Sequence, residues 1–236
     1  MRYSVHASIT PRVAAKLILT DEIDLSQLWK KEVALHVLDA LCAMPIEDVL
    51  SIVDANPYGD VADVKTIPQF GRPETVLRVP CAFAEMSVRE IDAPQLGFYL
   101  KRDLKANLGA NTKFGENHGK VAALLGLVDY SEGRFVPSAL TDAFCACNEQ
   151  KKLQIINRLW FRIPIVQILL KQAKTGCTNG YAPMAQLSES TRVRRGSSVK
   201  CVLKCLKVHN EKNLTDRIAN VLWEGLLGDE NGDCDY

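Results

Sequence analysis

Residues 116–141 read ENHGKVAALLGLVDYSEGRFVPSALT, and this stretch decides the fold expected for the chain. Its first ten residues suit a helix, because Val121, Leu124 and Leu125 recur at helical spacing. Gly126 follows directly and is a typical helix stop, since glycine adopts the backbone conformation that ends many helices. A helix from about Glu116 to Gly126 is therefore predicted.

The second half of the quoted stretch predicts a β-hairpin. Two short β-rich runs, residues 127–130 and 134–136, flank the turn Ser131-Glu-Gly133, and such runs about a glycine-containing turn are typical of a hairpin. A further helix is expected to begin at Ser138 or Thr141.

Working upstream, another helix is predicted from Pro94, which suits a first helical turn, with Asp92 as its cap. The Gly/Asn-rich residues 107–112 are expected to end it. Helix, turn, helix, hairpin, helix is the order of a winged helix, in which the second helix is the candidate recognition helix and the hairpin is the wing. The alternative is a small helical domain that carries a hairpin.

The N-terminal third predicts two helices with a break at Met44–Pro45, because proline suits the first turn of a new helix. Residues 54–72 form a turn-rich connector with several prolines and glycines. The expected division is a mostly helical region over residues 1–72, a winged-helix domain over 73–150 and a second, winged-helix-like domain over 151–236. The fold class is thus mainly α, with short β-hairpin wings.

The last third is also expected to be helical. A helix over residues 152–173 should break at Pro164. The capping signature Ser188-Glu-Ser-Thr191 predicts the start of a basic amphipathic helix that could bend near Gly196. A final helix over 214–227 should precede an acidic tail that we expect to be disordered.

Composition and segment lengths give the expected cellular setting. The chain has 236 residues, 47% hydrophobic and 24% charged, an ordinary globular composition. No secretory signal is apparent, and the longest apolar stretch, residues 163–170, is too short to cross a bilayer. A cytoplasmic protein without a membrane segment is expected.

Eight cysteines and four scattered histidines are the candidate metal ligands. The close pairs are Cys145 with Cys147 and Cys201 with Cys205, and neither has common zinc spacing. Buried free thiols are expected instead, with no structural metal and no cofactor.

Charge is unevenly distributed although the net charge is only +1. Residues 192–207 include six basic residues and no acidic residue. Nearby hydroxyl groups could donate hydrogen bonds to phosphate, so this segment is predicted to contact DNA phosphates. This candidate set is Ser190, Thr191, Arg192, Arg194, Arg195, Ser197, Ser198, Lys200, Lys204 and Lys207. A second candidate set surrounds the middle helix and the wing: Lys113, Asn117, His118, Lys120 and Arg134.

The segments Ala122-Ala-Leu-Leu-Gly-Leu-Val128, Pro137-Ser-Ala-Leu-Thr141 and Ser190-Thr-Arg-Val-Arg-Arg-Gly-Ser-Ser-Val199 together resemble the winged-helix DNA-binding regions of type II restriction endonucleases and related restriction-system proteins. The likeness spans about residues 92–207. The chain departs from it at Cys201 or Val202, where those proteins usually carry tryptophan, and at Gly196, where they carry alanine or a similar residue. No separate nuclease domain is evident.

The resemblance implies a protein that binds double-stranded DNA as the recognition component of a restriction or mobile-element defence system. It could be a homodimer or act with a nuclease or methyltransferase subunit. One alternative is a Mg²⁺-dependent endonuclease that uses Asp54, Asp60, Asp63 and Lys65, because acidic residues with a nearby lysine can hold the metal and activate water. Another alternative is a winged-helix adaptor that binds protein.

Overall fold

A computed structural model describes residues 10–21, 31–101 and 108–224. The described chain is mainly helical. In chain order its helices are α1 (Pro11–Leu19), α2 (Lys31–Ala43), α3 (Ile46–Ala55), α4 (Pro73–Arg78), α5 (Ala82–Met86), α6 (Ala93–Lys101), α7 (Leu108–Leu124), α8 (Thr141–Cys145), α9 (Glu149–Leu159), α10 (Pro164–Gln172), α11 (Glu189–Leu206) and α12 (Lys212–Ala219).

Five short strands and several single-turn 3-10 helices complete the described elements. The strands are β1 (Ile91–Asp92), β2 (Val128–Ser131), β3 (Arg134–Pro137), β4 (Thr178–Asn179) and β5 (Val221–Leu222). The 3-10 helices are Val64–Thr66, Trp160–Arg162, Ala182–Met184 and Lys207–His209. No single helix in the described ranges is long and apolar enough to cross a membrane, while the bent pair Glu149–Arg162 and Pro164–Gln172 passes that test by length and composition.

The chain divides into two compact units, each built from two separated stretches. The first contains the described residues of Met1–Ala43 and Phe70–Arg158, and the second those of Met44–Gln69 and Leu159–Tyr236. The division differs from the three consecutive regions expected from the sequence. The physical reason is that α2 packs against α8, whereas α3 packs against α10. The predicted helix break at Met44–Pro45 is confirmed, and it also marks a boundary between units.

In the first unit, the start of α6 and the end of α7 lie where the sequence predicts them. Asp92 and Gln95 cap α6 reciprocally: the Gln95 amide donates to Asp92 Oδ1 at 2.8 Å, and the Asp92 amide donates to Gln95 Oε1 at 3.1 Å. Gly126, with a φ of 74°, ends α7. Its amide bonds to the Ala123 carbonyl while that of Leu127 bonds to Ala122, which satisfies carbonyls at the helix end.

The predicted turn over residues 107–112 is wrong for residues 108–112, which lie in the first turns of α7. These residues are helical because α7 lies almost in backbone contact with α6. A Cβ atom on Gly97 would lie 1.8 Å from the Asn111 carbonyl oxygen, and one on Gly115 would lie 2.1 Å from the Ala93 oxygen. Glycine at positions 97 and 115 therefore permits the close approach of the two helices.

The predicted hairpin is confirmed and belongs to a small antiparallel sheet. Its two turn residues, Glu132 and Gly133, have φ of 51° and 82°, the left-handed conformations that match the twist of paired strands. Strand β1, which the sequence analysis did not identify, pairs with β3, so the sheet order is β1-β3-β2.

In the second unit, α10 occupies the centre of the core. Pro164 starts this helix and five of its aliphatic side chains are buried: Ile165, Val166, Ile168, Leu169 and Leu170. The break expected at Pro164 is confirmed. Helix α11 begins at Glu189, within the predicted capping signature Ser188-Glu-Ser-Thr191. It continues without interruption through Gly196, where a bend was possible from the sequence and where a Cβ atom would lie 2.6 Å from the Tyr181 ring.

The second unit does not contain the expected hairpin wing among its described residues. Strands β4 and β5 pair in parallel, Thr178 with Val221 and Asn179 with Leu222, and α11 and α12 lie between them in the sequence. The final helix predicted over 214–227 ends at Ala219 because the chain then turns into β5. The acidic tail lies outside the described residues.

Candidate nucleic-acid interface

Helix α11 is fixed in the second unit through Arg195. The Arg195 guanidinium donates hydrogen bonds to the backbone carbonyls of Val64, at 3.2 Å, and of Ile67. The side chain is half-buried, and burial lowers its pKa. Arg195 thus bonds to the protein's own backbone, and its contact with DNA stays a prediction.

The turn that receives Arg195 contains the Asp63-Val-Lys65 stretch considered as part of a nuclease site. The Asp63 carboxylate accepts a hydrogen bond from the Lys65 amide at 2.9 Å and caps the Val64–Thr66 turn. A carboxylate in this position orders a local turn. The stretch therefore serves as a docking turn for α11.

The exposed face of α11, together with the 3-10 helix that follows it, presents cations and hydroxyls. We define the basic stripe as the exposed residues Ser190, Arg194, Ser197, Lys204 and Lys207. Ten residues separate Arg194 from Lys204, which corresponds to roughly 15 Å along a helix. That length matches about four base pairs of duplex at a rise of ~3.4 Å each. No acidic residue occurs between Ser190 and Asn210, so the stripe has one sign of charge.

Other members of the first candidate set are half-buried or buried. Lys200 is half-buried, with its ammonium 5.6 Å from the Tyr181 ring centroid and 5.2 Å from that of Trp223. The two rings contact edge to face at 5.1 Å, so Lys200 is held by cation–π attraction. The sequence analysis missed both aromatic residues. Tyr181 lies in the turn-rich residues 175–183 and Trp223 lies shortly before the acidic tail, and a large aromatic side chain in such segments is the signal that could have indicated them.

The remaining three members also have internal roles or limited exposure. Ser198 is 4% exposed, which corrects its assignment as a direct phosphate contact, because it points to the core side of α11. Thr191 accepts a hydrogen bond from Ser188 Oγ at 2.9 Å and belongs to the helix start. Arg192 is half-buried.

The second candidate set lies on α7 and on the β2–β3 hairpin of the first unit, where its basic side chains pair with nearby carboxylates. Lys113 and Lys120 both bond to Glu116, at 3.0 Å and 2.6 Å, and these bonds lower the pKa of Glu116. Arg134 pairs with Glu90. Asn117 is half-exposed on the same helix. Lys113, Lys120 and Arg134 on this surface thus each pair with a carboxylate.

His118 is corrected from a DNA-facing residue to a core residue. It is 2% exposed, its Nδ1 bonds to the Phe114 carbonyl at 2.8 Å, and its Nε2 has no hydrogen-bond partner among the residues that the structure describes. Burial lowers its pKa, with the bond to Phe114 acting in the opposite direction. The neutral imidazole is therefore the form that suits this position.

The carboxylates of the nuclease alternative are engaged with other side chains. Arg217, 5% exposed, donates to both oxygens of Asp54, at 2.6 Å and 3.1 Å, and Lys174 pairs with the same carboxylate at 2.8 Å. Burial opposes ionisation of Asp54, but the bonds from these two cations outweigh it and hold its pKa below the ordinary value. Asp60 accepts a bond from Gln172 at 3.2 Å.

The Mg²⁺ arrangement of the nuclease alternative, which would use Asp54, Asp60, Asp63 and Lys65, is thus not assembled: each of the three acids has its own protein partner. In the described ranges, no group of three or more His, Cys, Asp or Glu side chains could hold a metal ion. The long-range pair of Arg217 with Asp54 could not have been found from sequence spacing, because 163 positions separate the two residues.

Comparisons with protein-family models, with curated proteins and with solved structures found no match for this chain.

Proposed function

We propose that this chain binds double-stranded DNA and that the basic stripe of α11 contacts the phosphate backbone. The observation that carries the proposal is the exposure of Arg194, Lys204 and Lys207 on a helix segment without acidic residues. Cations clustered on one face are the electrostatic footprint of a phosphate-binding surface.

The geometry favours positioning over reading of base edges. Lysine and arginine at exposed helix positions neutralise phosphates, and such contacts make up half to two-thirds of protein–DNA hydrogen bonds. The exposed hydroxyls of Ser190 and Ser197 lie among the cations and suit the same role, although Ser197 Oγ also bonds to the Val193 carbonyl at 3.2 Å. Binding through the stripe should therefore depend on salt more than on sequence.

We further propose that the first unit is a winged helix. Support comes from the order α6, α7, β2, β3 and from the antiparallel sheet order β1-β3-β2. In this arrangement α7 takes the recognition position, with Lys113, Asn117 and Lys120 on its accessible side, and the β2–β3 hairpin is the wing that carries Arg134. Tandem winged-helix architecture would require the second unit to have an equivalent arrangement, and its parallel β4–β5 pair does not favour that.

The cellular role is proposed from the resemblance of residues 92–207 alone: recognition of DNA in a restriction or mobile-element defence system, with catalysis supplied by a partner subunit. The engaged carboxylates of Asp54, Asp60 and Asp63 favour this reading over a nuclease in this chain. The adaptor alternative has no specific observation in its favour.

The test is equilibrium binding of a fluorescent duplex of random sequence. Each lost phosphate contact removes a counterion-release contribution of about tenfold in affinity at 0.1 M salt. Arg194→Ala with Lys204→Ala should therefore bind far more weakly than the unmodified protein.

Arg194→Lys with Lys204→Arg keeps both charges and should retain most of the affinity. Lys212→Ala is a second control, because Lys212 lies on α12 and pairs with Asp216. Failure of the unmodified protein to bind duplex, or equal binding by the double alanine variant, would overturn the proposal.

A further inference from the structure

Two cysteines that are distant in sequence have their sulfur atoms in contact in the first unit. Cys81 immediately precedes α5, and Cys145 is the last residue of α8. They are 64 positions apart, and their Sγ atoms lie 3.2 Å from each other. Both side chains are half-buried rather than enclosed. A small solute can reach such a pair, and the sulfurs would have to approach by roughly 1 Å to reach the ~2.05 Å of a disulfide.

The surroundings of the pair favour one thiolate. With Cys145 as the donor of the hydrogen bond between them, that bond lowers the pKa of Cys81 to about 7, burial acts against it, and the Lys152 ammonium assists. The same bond, together with burial, raises the pKa of Cys145. These shifts favour Cys81 as the nucleophile, with Cys145 as the protonated partner beside it, an arrangement found at reactive cysteines.

We propose that Cys81 and Cys145 form an oxidative modification site, at which a hydroperoxide converts the two thiols into an intramolecular disulfide. The Cys81 thiolate attacks one peroxide oxygen and breaks the O–O bond, giving a sulfenic acid; the other oxygen takes a proton and leaves as water or an alcohol. The Cys145 sulfur then attacks the Cys81 sulfur, the S–S bond forms and water leaves. The two thiols lose two electrons and two protons, which the peroxide accepts.

The disulfide would enclose the segment that carries α6, α7 and the β2–β3 hairpin. Closing a loop of this length restricts the unfolded chain, so oxidation should stabilise the first unit. The modification thus acts on the stability of the unit, and thiol reductants should reverse it.

Other cysteines of the chain could compete with Cys81 for the peroxide and therefore serve as controls. Cys147 is two residues from Cys145, and its sulfur bonds to the Ala143 carbonyl at 3.3 Å. Burial raises the pKa of Cys147 and of Cys42, so both should react more slowly than Cys81. Cys177 is exposed and lies in the other unit.

The experiment treats the purified full chain with hydrogen peroxide near pH 7, blocks remaining thiols by alkylation and maps the linked peptides by mass spectrometry. The expected product is a Cys81–Cys145 peptide lighter by two hydrogen atoms, with a Tm higher by roughly 5–15 °C that dithiothreitol returns to its starting value. Cys147→Ser and Cys177→Ser should behave like the unmodified protein, whereas Cys81→Ser and Cys145→Ser should each lose the crosslink and the Tm shift.

Peptide maps that contain only other cysteine pairs, or only overoxidised Cys81, would overturn the proposal. A Cys81–Cys145 crosslink with an unchanged Tm would contradict the stabilising consequence. The crosslink is read directly from the unmodified protein, so the result does not depend on whether the serine variants fold.

Discussion

Arg194 and Arg195 are neighbours on α11 with different environments: Arg195 donates to the carbonyls of Val64 and Ile67, while Arg194 is exposed on the basic stripe. One residue further along a helix turns a side chain by ~100°, which is enough to exchange solvent for the protein's own backbone. The same residue type thus has a structural role at one position and a proposed binding role at the next.

Arg195→Ala should destabilise the second unit while Arg194→Ala should not. The first substitution leaves two carbonyls without their cationic donor, which we expect to lower the free energy of unfolding by about 1–3 kcal/mol. The second removes an exposed side chain and should change it by less than ~0.5 kcal/mol. Urea denaturation of both variants measures the difference, and equal stabilities would contradict the anchoring role.

Gly97→Ala should disrupt the packing of α6 against α7. The added Cβ would lie 1.8 Å from the Asn111 carbonyl oxygen, so the helices must separate, and we expect a cost near the upper end of the range of about 1–3 kcal/mol for overpacking. Gly71→Ala is the matched control, since a Cβ there meets nothing within 4 Å. Thermal melts of the two variants should differ widely; a Gly97→Ala protein as stable as the control would refute the close helix contact.

His118 should make the first unit less stable in mild acid. Burial holds the pKa of His118 below its ordinary value, so the unfolded chain binds a proton that the folded chain excludes. The free energy of unfolding should therefore decrease as pH falls through roughly 6.5, by at most ~1.4 kcal/mol per pH unit. His118→Asn keeps a donor for the Phe114 carbonyl and should flatten this dependence between pH 7 and 5. An unaltered pH dependence in that variant would assign the effect to other groups.

Asp54→Asn should destabilise the second unit because it leaves the Arg217 guanidinium, 5% exposed, without its counter-charge. Removing one partner of a buried pair costs about 3–5 kcal/mol. Asp63→Asn is the control: asparagine caps a turn as well as aspartate does, so its cost should stay below ~0.5 kcal/mol. A stable Asp54→Asn protein that loses Mg²⁺-dependent DNA cleavage would instead support the nuclease alternative.

Local features of the fold were predictable because their causes lie within a few residues. Gly126 ends α7, Pro164 starts α10, and the Glu132–Gly133 turn forms the hairpin, each as the sequence indicates. The start of α7 was not predictable, because its Gly/Asn-rich residues look like a turn until α6 lies against them.

Site residues were less predictable than the helices, since their roles depend on long-range contacts. Arg194 and Arg195 carry the same charge at adjacent positions, so the sequence does not separate their roles. Their roles differ because Arg195 bonds to the distant turn at Val64. His118 stands between Asn117 and Lys120, which suggested a polar face, yet it lies on the buried side of α7. Asp54 belongs to the predicted connector of residues 54–72, yet it lies in α3, and its partner Arg217 comes from α12.

The most direct test of the central claim is the salt dependence of duplex binding between 50 and 200 mM salt. If Arg194 and Lys204 each neutralise one phosphate, replacing both by alanine should reduce the slope of log K against log salt by about 2, at ~0.9 per contact, while Lys212→Ala leaves the slope unchanged. An identical slope for the double variant and the unmodified protein would contradict the assignment of the basic stripe to DNA.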